Sequence, residues 1–404
     1  MSQYPQQGAS LMTLFKQVIR TGGLARTALY TSIAAALVAA PITASAYSFK
    51  DSSGKVDFTI GGYAKLSAIY SDTDSGKITN ELGRNIYLPS ATPVGNGTDA
   101  QVLDMTARES RINFKAKTDL GGHKVGMTLE MDFLGTSGGT ETVSNSYSPR
   151  LRHYFFTFDE WLFGQTWSTF MDTGALAEAV DFLASPEGIV FIRQAQVRYS
   201  RGNFQIALEN PQSFVTGSTD GDVGVVPDLT GNYKFKGGWG HVRLNGLVRQ
   251  ITVEEAAPPV DKSTTGYGVG VSGKIKVGSK DDIRFSANYG DGMGRYTSLG
   301  LVKDGMLINN VIETTKSTAA SAAYRHVWNP KSSSNLILSM ADIDNPTGAA
   351  GSENKGSTSV QINYLFRPVK QVSYGIMYLG GERETENGDK GKLSRVQASA
   401  KYSF

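Results

Sequence analysis

The residues in this sequence best suited to chemistry are arginines and the acids that stand near them. Arg150, Arg152, Arg193 and Arg198 flank or fall within the stretch Trp161–Ser200, and Asp172, Glu178, Asp181 and Glu187 lie between them in sequence. A guanidinium offers a planar fork of donors that matches a carboxylate in two places, so arginines grouped in this way suit reversible binding of small anions. The acids are expected either to pair with these arginines or to form an opposing wall across a narrow passage. Covalent chemistry has weaker support. His123, His153, His241 and His326 share no metal-ligand spacing, and no Ser/His or Asp/His pairing of a hydrolase is visible. Gly268-Val-Gly-Val-Ser-Gly273 spells a dinucleotide motif, but Lys274-Ile-Lys-Val277 continues a strand where that motif needs a helix. The chain therefore reads as a non-enzyme without cofactor or metal. The rival readings are a barrel-borne lipase or protease and a surface β-protein with no transport role.

Positioning such charges requires a scaffold, and the sequence supplies one from Val56 onward. Val56, Phe58, Ile60, Ala64, Leu66, Ala68 and Tyr70 are interleaved with Asp57, Thr59, Gly61, Lys65, Ser67 and Ser71, the period of a strand with two unlike faces. Similar runs recur to Phe404, giving about 16 candidate strands. Tight turns, such as Asp119-Leu-Gly-Gly122, Asp159-Glu160 and Arg201-Gly-Asn203, alternate with long polar connections near 72–104, 135–149, 211–227, 254–264, 291–314, 344–356 and 381–392. Short turns at one rim, long loops at the other and an even strand number predict an all-β, transmembrane antiparallel β-barrel of the bacterial outer membrane. Aromatics at strand ends, among them Tyr70, Tyr233, Phe235, Tyr289, Trp328 and Tyr364, fit interfacial girdles, and the last strand closes the chain on Phe404.

Strand alternation then assigns directions. Lys65, Arg111, Lys115, Lys117, Arg198, Lys234, Lys236, Arg243, Arg249, Lys274, Lys276 and Arg284 face the lumen, against fewer inward acids, Asp57, Glu130, Asp132 and Glu209. Excess cationic groups on a low-dielectric wall raise the local concentration of anions. The parity of Arg150, Arg152 and Arg193 is ambiguous. One connection departs from the polar pattern: across about 171–191, Leu176, Ala179, Val180 and Leu183 fall at helical spacing and Pro186 follows. An apolar loop with a short helix must bury that face, and the barrel interior is the expected place.

Composition agrees. The 404 residues include 46 Gly and no Cys, so a disulfide scaffold is excluded. Residues 1–46 carry Lys16, Arg20 and Arg26, then an apolar run and Ala44-Ser-Ala46, the pattern of an export signal ahead of a barrel spanning 47–404. Its removal takes three cations and no acids from a net charge of +3, leaving a formally neutral chain with no basic run for nucleic acid.

Phe163-Gly-Gln-Thr-Trp-Ser-Thr-Phe170, Ser185-Pro-Glu187 and Ile192-Arg-Gln-Ala-Gln-Val-Arg-Tyr-Ser200 resemble the DcaP-type porins. The resemblance implies a homotrimer of 16-stranded channels in outer-membrane lipid, passing small anionic solutes such as dicarboxylates, with the third long connection folded into the pore. It carries over Arg193 and Arg198 as constriction positions. Members of that family can bear an N-terminal coiled coil; here only Tyr47 to Lys55 precede the first strand, without heptads.

Overall fold

A computed structural model describes residues 47–136, 141–218, 224–256 and 259–404. The expected export signal, 1–46, lies outside the described residues. The alternating runs form sixteen strands: β1 Val56–Thr73, β2 in two pieces Ala100–Thr106 and Arg111–Leu120, β3 His123–Asp132, β4 Arg150–Phe158, β5 Trp161–Trp167, β6 Arg193–Arg201, β7 Phe204–Glu209 and β8 Asp228–Gly237. The second half comprises β9 Gly240–Ala256, β10 Pro259–Val277, β11 Asp281–Asp291, β12 Lys316–Asn329, β13 Ser332–Asp344, β14 Asn354–Val369, β15 Val372–Thr385 and β16 Lys390–Ser403.

Each strand pairs antiparallel with its neighbours, and β1 pairs with both β2 and β16, which closes the barrel. Closure gives every strand two partners and leaves no edge, the condition a lipid-exposed sheet must meet. Phe404 exchanges two backbone bonds with Gly62, and Tyr47–Lys50 continues the line below it by pairing with Asp57–Ile60. The two faces differ as alternation requires: on β10, Val269 is 55% exposed to the outside, whereas Ser272 is 3% exposed inside.

Two expected loops are instead strand. β9 and β10 pair out to Ala256↔Pro259, and β15 and β16 to Glu384↔Lys390, so the regions near 254–264 and 381–392 form projecting hairpins. The second hairpin also packs on the first long connection, where Arg383 donates to the Ser90 and Thr92 carbonyls at 2.8 Å. Conversely, β2 breaks at residues 107–110. Six residues from Thr106 to Arg111 oppose five on β1, Tyr63 to Ser67, a bulge that turns Arg108 and Glu109 into the interior, where Glu109 pairs with Lys65.

The expected helix in the third long connection is absent. Only a 3-10 turn at Thr173–Ala175 forms, and residues 176–183 follow an irregular path. The apolar residues at helical spacing go to separate places: Leu176 packs with Phe170 and Met171, Ala179 with Ala323 and Ile337, and Val180 with Tyr87, Leu365 and Met377. The five-residue helix in the long loops lies in the first connection, Glu81–Asn85, capped by Asn80 Oδ1 accepting from the Gly83 N–H at 2.9 Å.

Candidate pore constriction

The connection from β5 to β6, residues 168–192, lies against the inner wall, and a succession of polar contacts fixes its course. At its start Ser168 Oγ and the Thr169 N–H donate to Glu209 at 3.1 and 2.7 Å, and Asn232 donates to the Thr169 carbonyl at 2.9 Å. Asp172 accepts from Ser272 Oγ at 3.1 Å and lies 2.8 Å from His241 Nε2. Farther along, Asn363 donates to the Glu178 carbonyl at 2.9 Å and Lys65 to the Val180 carbonyl at 2.7 Å. The return leg passes so close to β12 that a Cβ on Gly188 would lie 2.1 Å from the Ala320 carbonyl oxygen; its N–H donates to Ser339 Oγ at 2.9 Å.

The loop acids have different tasks. Burial opposes the charge of Asp172, but Arg243, His241 and Lys234 outweigh that and hold its pKa below the ordinary value. Asp181 accepts backbone N–H bonds from Tyr87 and Phe182, both at 2.7 Å, and burial raises its pKa despite nearby Arg395. Glu187 is fully enclosed. It accepts from Tyr87 Oη at 2.7 Å and Ser359 Oγ at 2.9 Å, and burial raises its pKa against those bonds. The expected pairing of Asp181 and Glu187 with flanking arginines does not occur: the Tyr87 and Phe182 N–H groups occupy Asp181, and Tyr87 Oη with wall serines occupies Glu187.

The acid that does collect arginines is Glu178. Arg367 lies 2.8 Å away, Arg325 3.3 Å and Arg284 3.6 Å, from β14, β12 and β11. Glu178 and Arg367 keep 28% and 32% side-chain exposure, so this cluster is in contact with solvent. Asp282 bridges Arg284 at 2.7 Å, Arg325 at 3.3 Å and Lys274 at 3.4 Å. Four cations here face two carboxylates. Strand alternation from Tyr324 and Phe366, both outward, was the signal that places Arg325 and Arg367 inside.

A second cluster lies on β2–β4. Arg150 grips Asp132 with two bonds of 2.8 and 2.9 Å, Arg152 bonds Glu130 and Asp132 at 2.8 and 2.9 Å, and Arg111 lies 3.3 Å from Glu130. The ambiguous parity has a physical origin. The β3–β4 register slips between Glu130↔His153 and Met131↔Leu151, so Arg152 is a bulged residue and both it and His153 turn inward. Phe182 from the loop stacks near this cluster, its ring 5.5 Å from the Arg152 guanidinium.

The other expected site arginines are distributed differently. Arg198 bonds Gln196 Oε1 at 2.9 Å and the Trp167 carbonyl, and Arg243 bonds the Thr169 carbonyl, so both anchor the loop entrance. Arg249 is enclosed between Asp304 at 2.7 Å and Asp228 at 3.3 Å and braces the long connection after β11 to the wall. Arg193 begins β6 with its guanidinium 4.6 Å over the Trp167 ring, away from Asp181 and Glu187.

A family model described as DcaP outer membrane protein matches residues 50–404. The crystal structure of the outer membrane channel DcaP of Acinetobacter baumannii is similar at 27% identity, with TM-score 0.73, over 88% of this chain and 99% of that one. An anion-selective porin from Comamonas acidovorans shares the fold at 11% identity and TM-score 0.54, over 87% of this chain and 100% of that one. So does OmpF of Salmonella typhi, in complex with daunomycin, at 9% identity and TM-score 0.55, over 89% and 100%. No curated protein matches the chain.

Proposed function

We propose that this chain, which belongs to the DcaP outer membrane protein family and forms a channel barrel of the bacterial outer membrane, is a diffusion porin preferring small anions such as dicarboxylates. The observation that carries this reading is the convergence of Arg284, Arg325 and Arg367 on the single carboxylate of Glu178, within reach of solvent. Glu178 and Asp282 together neutralise only part of the charge of these arginines and Lys274, and the remainder sets a positive potential where the inserted loop narrows the lumen.

Arg111 and Arg150, with 18% and 25% side-chain exposure, add a second cationic surface, and the enclosed Arg152 lies behind them. A diacid passing between the clusters would exchange hydration for successive contacts with their solvent-accessible guanidinium groups. Arg198, Arg243, Arg249, Asp172, Asp181 and Glu187 serve the constriction indirectly, by holding the loop and its neighbours in place. An export signal over 1–46 and assembly as a homotrimer complete the reading; the trimer form of OmpT from Vibrio cholerae, 12% identical with TM-score 0.51, shares the fold.

Enzymatic readings gain nothing from the Ser–His–Asp grouping found among the described lumen residues. Asp172 sits between Ser272 and His241, so the imidazole does not face the hydroxyl it would have to activate. The reading is tested by single-channel recording with succinate and sucrose added in turn. Succinate should produce concentration-dependent current block that sucrose does not; equal responses would reduce the channel to a size sieve.

A further inference from the structure

β4 and β5 pair from Phe158↔Trp161 only as far as Tyr154↔Gln165. Beyond that point β4 still pairs with β3 to Asp132↔Arg150, and β5 with β6 to Trp167↔Arg193. The seam between them is bridged by side chains instead. Gln165 Nε2 donates to the Leu151 carbonyl at 3.2 Å, and His153 Nδ1 lies 2.9 Å from Thr166 Oγ1. These bonds satisfy polar groups that an opened ladder would leave bare, while the two backbones stay apart.

A cavity of about 290 Å³ lies at this seam. Leu151 and Gln165 belong to its outer side, Phe182 and Phe191 come from the inserted loop, and Arg150 and Arg193 supply charge. Arg150 is neutralised by Asp132. Arg193 has no carboxylate in ion-pair contact among the described residues. Its guanidinium lies over the Trp167 and Phe191 rings at 4.6 and 5.8 Å, and its Nη1 is enclosed without a hydrogen bond. A desolvated donor with no acceptor, beside an apolar cleft, matches a ligand with one anionic head and one apolar chain.

We propose that the β4–β5 seam is a lateral binding site for an anionic amphiphile, with the head on Arg193 and the chain along Phe182, Phe191 and Leu151. This site is independent of the pore reading. Carboxylate and phosphate heads share the required chemistry, and the occupant is either a soluble alkyl carboxylate or an anionic lipid.

The test uses the full-length mature protein in phosphatidylcholine nanodiscs, with Trp161, Trp239 and Trp328 replaced by Phe so that Trp167 alone reports. Bromodecanoate should quench its emission saturably and decanoate should compete. Decanol should compete at least about 10-fold less well, the scale of one charge-assisted hydrogen bond. Arg193→Ala should weaken binding by a similar factor and Arg193→Lys should recover part of it, with an unaltered unfolding temperature showing that the variants fold. Equal competition by decanol, or unchanged binding by Arg193→Ala, would overturn the site. Quenching that appears only after copies of the chain are separated would overturn it too, assigning the cleft to a second copy. Organic extraction of protein purified from cells separates the sources: an anionic lipid present in wild type and lost in Arg193→Ala identifies lipid, and its absence identifies a free solute.

Discussion

Tyr87 on the first long connection clamps Glu187 on the third: its hydroxyl donates to Glu187 Oε1 at 2.7 Å, while its own N–H donates to Asp181 at 2.7 Å. One fully buried residue thus fastens both enclosed acids of the inserted loop. Tyr87→Phe keeps the packing and the Asp181 contact but removes a hydrogen bond to a buried carboxyl. The expected cost is about 1–3 kcal/mol, read as a lower unfolding temperature and as added current noise from a looser loop.

The same clamp has a predictable pH dependence. Burial raises the folded-state pKa of both Asp181 and Glu187, so in the interval above their ordinary range the folded protein binds more protons than the unfolded chain. Stability contributed by these groups is therefore fully present in acid and falls as pH rises through that interval. Asp172 acts oppositely, because its pKa is lowered and its contribution is lost as pH falls. Current noise should accordingly increase as pH rises above the ordinary carboxylate range in wild type, and Glu187→Gln should flatten the dependence.

Glu178→Gln should sharpen anion preference. It removes the carboxylate shared by Arg284, Arg325 and Arg367 without removing any guanidinium. The anion-to-cation permeability ratio should rise severalfold, the direction expected when one negative charge leaves a narrow, weakly screened passage.

Arg249 separates structural from permeation roles. Arg249→Ala would leave Asp228 and Asp304 enclosed without their shared cation, at an expected cost of about 3–5 kcal/mol. Thermal unfolding should move markedly, whereas ion selectivity of the channels that do form should not.

Gly188→Ala tests the seat of the loop. A methyl group there meets the Ala320 carbonyl oxygen, so the return leg must leave the wall. Unitary conductance should change while the barrel keeps its resistance to unfolding.

Much of this architecture was legible in the sequence because a barrel strand writes its environment at period two. Val269 facing outward and Ser272 facing inward are both local consequences of that alternation. Alternation failed where the backbone departs from it: the slip at Arg152 reverses parity, and no residue type announces it. The helix expected at Leu176, Ala179, Val180 and Leu183 failed for another reason. Those residues satisfy a helical spacing, but wall sites from three parts of the barrel compete for them and draw the segment out. The Glu178 cluster was equally hidden, since its arginines come from strands more than 100 residues downstream and meet only when the barrel closes.

The central claim is that the constriction carries a net positive field, and the reversal potential of the mature protein in planar bilayers under a KCl gradient measures it most directly. The reversal potential should have the sign for chloride over potassium and shift further in that direction in Glu178→Gln. A potential of cation-selective sign, or one unmoved by Glu178→Gln, would contradict it.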